Sequence, residues 1–94
     1  MNPEPVAIPV DPERTVSGLL MKPPAATAAL VIAHGAGANM THKSMAAIAE
    51  GLAARDVATL RYNFPYMERG SKRPDAPALV HATVRAAVAE AARL

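Results

Sequence analysis

The apolar positions of the first 33 residues fall into three short stretches separated by proline-containing segments. Residues 6–10 and 15–21 predict two strands, and residues 11–14 between them predict a type I turn with proline in its second position. The two strands should form an antiparallel hairpin at a sheet edge, where Pro9, which has no N–H group, is tolerated. The continuous apolar run Ala28–Ala33 predicts a strand buried on both faces, which we expect at the centre of a parallel sheet.

The next apolar positions along the chain have helical spacing. Met45, Ile48, Ala49 and Leu52 recur at i, i+3, i+4 and i+7, which predicts an amphipathic helix ending near Asp56. Thr41 is the expected N-cap of this helix. Residues 57–62 then predict a strand parallel to the 28–33 strand, so the segment is expected to form a right-handed βαβ unit.

A loop over residues 63–74 should lead into a last helix, capped by Asp75 with Pro77 in its first turn. Its expected apolar stripe has helical spacing and consists of Val80, Val84, Ala87, Ala91 and Leu94. The stripe ends without a stop signal, and the 57–62 strand should need further strands on its faces and edge. We therefore expect one partial, truncated α/β domain over residues 1–94, with an edge hairpin (1–22) and a βαβα unit (28–94).

Composition narrows the function classes. The chain has 94 residues, 51% of them hydrophobic, which is enough for one small domain with a core. The net charge of +2 comes from scattered residues, so no nucleic-acid partner is expected. The absence of cysteine excludes a disulfide scaffold, a thiolate nucleophile and thiolate-bound zinc. With no signal-peptide pattern and no long apolar run, we expect a cytoplasmic protein without membrane contact.

Two segments follow the predicted parallel strands and could carry chemistry. Ligand sites of open α/β sheets form beyond the carboxyl ends of parallel strands, which here means residues 33–40 and 61–66. Gly35 and Gly37 in the first segment would allow a sharp turn and bring backbone N–H groups close to a substrate oxygen.

These motifs resemble a known family. A strand, then His34-Gly35-Ala36-Gly37, then a helix, with the next strand ending in Arg-Tyr-Asn-Phe-Pro-Tyr, is similar to the N-terminal half of an α/β-hydrolase, and more narrowly to dienelactone-hydrolase-related members. The resemblance implies that the partial domain over residues 1–94 is of the α/β-hydrolase type and that the backbone N–H of Ala36 is one of two oxyanion-hole donors. It also implies a nucleophile in a later G-x-S-x-G elbow, followed by an acid and a histidine.

The resemblance leaves the chain without a nucleophile of its own. Ser17, Ser44 and Ser71 are its only serines, and none lies in a G-x-S-x-G motif. We therefore expect part of a carboxylic-ester or related acyl hydrolase, inactive as this chain alone. A non-catalytic α/β-hydrolase-like interaction scaffold is the alternative.

The site residues that this interpretation predicts are few. Ala36 and Gly35 are the predicted catalytic residues. The predicted substrate-binding residues are His34, Gly37, Asn63 and Phe64. His34 is alternatively a neutral hydrogen-bonding residue that fixes the turn, and Phe64 is alternatively a packing residue. No cofactor or metal is expected, the partner is a small acyl or ester substrate, and self-association through an uncovered sheet edge is possible.

Two nucleotide-binding alternatives fit less well. A dinucleotide fold would need a third small residue where the chain has Met40. A P-loop pattern begins at Gly37 and ends in Lys43-Ser44, but His42 stands where the second glycine must let the backbone wrap a phosphate.

Overall fold

The computed structural model describes residues 2–33, 40–70, 73 and 75–94. In chain order the elements are β1 (Glu4–Asp11), β2 (Arg14–Met21), β3 (Ala28–Ala33), α1 (Lys43–Ala53), β4 (Val57–Tyr62), α2 (Pro65–Glu68) and α3 (Pro77–Arg93). The described strands form one four-stranded sheet in the order β1-β2-β4-β3. The predicted α/β architecture, an antiparallel hairpin followed by a parallel βαβα unit, is confirmed.

The hairpin lies at one edge of the sheet, as predicted. Among the described strands β1 pairs only with β2, and such an edge position tolerates Pro9, which has no N–H group. The turn is closed by Asp11, whose carboxylate accepts the N–H of Glu13 at 2.9 Å and pairs with Arg14 at 2.8 Å. A short polar side chain that binds the backbone two residues on is typical of such turns.

The central strand is β4, which corrects the expectation for β3. β4 pairs with β2 on one side and with β3 on the other, and five of its six residues are buried. In the described residues β3 pairs only with β4, and its Leu30 is 48% exposed. The expectation that β4 would have the uncovered edge was also wrong. An apolar run predicts a strand suited to burial, but the order of strands depends on pairing partners far away in sequence.

The main core lies between the sheet and α3. It joins one side chain from each of β1 and β2 and two from β4 to Ala87 of α3; these are Ile8, Val16, Leu60 and Tyr62. Side chains alternate along a strand, so Thr59 and Arg61 face the other side of β4, against which α1 packs through Met45 and Ala49. The sheet is therefore covered on both faces at its centre.

Both predicted helix caps are wrong. His42, not Thr41, is the N-cap of α1, and its Nδ1 accepts the N–H of Ser44 at 3.2 Å. Ala76 precedes α3 without a side-chain cap, because the Asp75 carboxylate binds elsewhere. Proline in the first turn of α3 is present as predicted and removes one N–H that would otherwise need a partner.

The buried line of α3 is shifted from the predicted stripe. Thr83, Ala87 and Glu90 are buried, whereas Val84 is exposed. Two of these positions are polar, and both are satisfied within the helix: the Thr83 hydroxyl donates to the carbonyl of Leu79, and Glu90 pairs with an arginine one turn on. Polar side chains can thus be buried where they bind partners within the same helix, and an apolar pattern does not reveal such positions.

Candidate functional site

The two strands that precede the segments predicted to carry chemistry end side by side. β3 and β4 run parallel, and their last residues, Ala33 and Tyr62, are partners in the register. Both strands therefore end at the carboxyl end of the parallel pair, which is where α/β proteins bind ligands. His34, Gly35, Ala36 and Gly37 lie outside the described residues; Asn63 and Phe64 lie directly after β4.

Asn63 is a buried residue that fixes two other segments. It is 8% exposed, and its backbone N–H donates to the carbonyl of Ser17 at 3.1 Å, which continues the contact of β4 with β2 by one residue. Its side-chain Oδ1 accepts the backbone N–H of Met40 at 3.0 Å. The predicted substrate-binding residue thus already uses its amide oxygen to hold the segment that enters α1.

Arg61 binds the other backbone group of Met40. It is only 3% exposed, and its Nη1 donates to the carbonyl of Met40 at 3.1 Å. Burial lowers the pKa of Arg61, and the nearby charge of Glu50 partly offsets this effect. In the described part of the chain its Nε is buried without a hydrogen-bond partner.

Sequence reasoning gave Arg61 no role, although a signal was present. It is the one charged residue in the Val57–Tyr62 strand. A permanent charge at a position that should be buried demands a partner, because an unpaired buried charge is strongly destabilising.

Three aromatic rings form a wall beside the end of β4. The ring centroids of Tyr62 and Phe64 lie 5.4 Å apart at 67°, and Phe64 stacks on Tyr66 at 6.4 Å and 11°. Tyr62 and Tyr66 are buried, and burial raises the pKa of Tyr62, while Phe64 is half-buried. Of these rings, Phe64 is the one with surface left for a ligand.

The segment after β4, predicted as a loop, contains the short helix α2, which includes Tyr66 of the wall. Asp75 fixes it: its carboxylate accepts the N–H of Tyr66 at 3.1 Å and pairs with Arg69 at 3.1 Å, and its side chain is 1% exposed. Glu68, at the end of α2, accepts the backbone N–H of Ser17 in β2. These contacts fix the aromatic wall in place beside the carboxyl end of β4.

Residues 2–33, 40–70, 73 and 75–94 contain no group of three histidine, aspartate or glutamate side chains that could hold a metal ion. His42 serves as a helix cap and His81 is exposed on α3. No helix in this part of the chain is long and apolar enough to cross a membrane.

Comparison with known proteins identifies the class. The family model described as an alpha/beta hydrolase domain matches residues 26–94, which is most of the chain. The chain therefore belongs to this family of alpha/beta hydrolase domains, and the resemblance inferred from the sequence is confirmed.

Two solved structures share the fold. An alpha-beta serine hydrolase homologue from Coxiella burnetii matches 99% of the chain, with a TM-score of 0.76 and 19% sequence identity. A dienelactone hydrolase from Anabaena variabilis ATCC 29413 matches 73% of the chain, with a TM-score of 0.63 and 28% sequence identity. The chain spans 47% of the first protein and 32% of the second. No curated protein gives a significant match.

Proposed function

We propose that this chain supplies the oxyanion-binding half of a hydrolase active site that acts on carboxylic esters or related acyl compounds. The observation that carries the proposal is the parallel register of β3 and β4, which end side by side at Ala33 and Tyr62. Membership of the hydrolase-domain family supports it. The similarity to a dienelactone hydrolase favours an ester-type substrate, since a lactone is a cyclic ester.

In this proposal the backbone N–H of Ala36 donates to the carbonyl oxygen that becomes negative when the nucleophile attacks. Gly35 before it lets the backbone approach the substrate closely. A donor held in place before the reaction stabilises the developing charge without reorganisation, and losing one such donor costs about 10²–10³ in kcat.

The substrate is bound by the residues around this donor. His34 and Gly37 flank it in sequence, and Asn63 and Phe64 follow the neighbouring strand. The Oδ1 of Asn63 is engaged by Met40, so its Nδ2 group is the part that would contact substrate. Phe64 offers a half-buried apolar ring.

The nucleophile comes from protein outside these 94 residues. Ser17, Ser44 and Ser71 do not lie in the required motif. A further parallel strand on the free side of β3 would end beside Ala33, close to the proposed donor. Nucleophile and oxyanion donors must both lie about 3 Å from the reacting carbonyl group.

The coding sequence after the Leu94 codon tests the proposal. We expect a short loop, an apolar strand, a G-x-S-x-G-like elbow, and then an acid and a histidine. In the protein that includes this elbow, Ala36→Pro removes the N–H and should lower kcat about 10²–10³-fold with the far-UV spectrum unchanged. A frame that stops at Leu94, or continues without a Gly-flanked nucleophile, would favour the interaction scaffold instead.

A further inference from the structure

Met40 is held at both of its backbone groups by side chains from the end of β4. Its N–H donates to Oδ1 of Asn63 at 3.0 Å, and its carbonyl accepts from Nη1 of Arg61 at 3.1 Å. The two side chains come from positions two residues apart along extended chain, so they project from the same face of the sheet.

A contribution to folding stability does not explain these contacts. A buried guanidinium is costly even when paired, and among the described ion pairs none involves Arg61. Its acceptor is a neutral carbonyl, and its buried Nε has no partner among the described residues. An apolar side chain of similar volume would avoid these costs, so a role other than stability is indicated.

We infer that Arg61 and Asn63 are positioning residues: they clamp Met40 and thereby fix the start of the segment that enters α1 against the end of β4. The inference rests on the proposed function only where it links this segment to catalysis. The geometry explains why two polar side chains are buried at this point of the sheet. It also gives Asn63 a second task beside the proposed contact with substrate.

Amide hydrogen exchange tests the clamp itself. Asn63→Leu keeps the side-chain volume but removes the acceptor, and should speed exchange of the Met40 amide about tenfold or more. Asn63→Asp keeps an oxygen at the same place and should retain most of the protection. The amide of Leu60, in the centre of β4, reports global opening and should stay protected in both variants.

Arg61→Met and Arg61→Lys test the other half of the clamp. Met removes every donor, so exchange of the Met40 amide should rise even though Asn63 is intact, whereas Lys keeps a donor and should restore part of the protection. Arg85→Met, at an exposed position of α3, is the matched control and should change neither amide. Unchanged Met40 exchange in Asn63→Leu would overturn the clamp, whatever the protein catalyses.

Kinetics of the protein that contains the nucleophile test the link to catalysis. A mispositioned donor weakens binding of the transition state more than that of the substrate, so Asn63→Leu and Arg61→Met should lower kcat about ten- to hundredfold and change KM less. Arg61→Lys should recover part of kcat. A normal kcat in a variant whose Met40 amide exchanges faster would refute the positioning role. A wild-type protein without hydrolase activity would instead contradict the proposed function, and the exchange results would still decide the clamp.

Discussion

Gly18 of β2 lies close to side chains of β1 and to the backbone of β4. A Cβ atom at this position would be 2.9 Å from Cδ1 of Ile8 and 3.1 Å from the carbonyl oxygen of Arg61. The first contact could relax, but the second is backbone of the central strand β4. Glycine is thus required here by the space available rather than by its backbone conformation.

We expect Gly18→Ala to destabilise the fold by about 1–3 kcal/mol, the usual cost of overpacking a core. Gly51→Ala is the matched control, because a Cβ at Gly51 in α1 meets nothing within 4 Å. Alanine is the better helix former, so this variant should be more stable by about 0.5 kcal/mol. Urea unfolding of both variants measures the difference; equal midpoints would contradict the packing argument.

Asp11 gives a prediction at acidic pH. The Glu13 backbone N–H and the Arg14 side chain lower its pKa below the ordinary value. A carboxyl whose pKa is lowered by folding stabilises the protein above its unfolded-state pKa, and this contribution is lost as pH falls through the folded-state value. Carboxyl titration by NMR should show a higher midpoint in Arg14→Gln, though still lowered by Glu13. A midpoint that does not move would exclude Arg14 as a cause.

Among the elements, β3 stands out because its outer edge is free in the described part of the chain. It has no proline and no charged residue, whereas β1 at the other edge carries Pro5 and Pro9. Proline and charge are the usual protections against pairing with another chain. Large apolar side chains are also exposed on β3 and on both longer helices, namely Leu30, Ile48, Val84 and Val88.

We therefore expect the 94-residue chain to self-associate through β3. Leu30→Lys places a charge on this edge strand and should shift the population toward monomer in sedimentation velocity. Ala7→Lys introduces the same charge in β1, whose edge is already protected, and should leave the distribution unchanged. Equal effects of both variants would show that net charge, not the β3 edge, controls association.

For the molecule as a whole, the proposed location of the nucleophile outside these residues predicts inactivity of this chain alone. Without nucleophile and base, only part of the oxyanion stabilisation remains, so a p-nitrophenyl ester should be hydrolysed at the buffer rate. Saturable hydrolysis that a serine-directed inhibitor abolishes would contradict this expectation. An unrelated protein at the same concentration controls for nonspecific surface catalysis.

Much of the fold and part of the candidate site could be predicted from the sequence. The strands Ala28–Ala33 and Val57–Tyr62 match their predicted bounds, since an apolar run and its flanking breakers are local features. The positions of Asn63 and Phe64 after β4 followed from the same pattern. α2 was missed because four residues are too few for a helical period to be recognised.

By itself, the sequence determined which segments become strands and helices, because these depend on side chains close together along the chain. Only the tertiary structure decided that, among the described strands, β4 is central and β3 lies at an edge, because strand order depends on distant partners. It also decided that Arg61 and Asn63 hold Met40, which is 21 and 23 residues away from them in sequence. Contacts over such separations form only when packing brings the two segments together, so no local pattern encodes them.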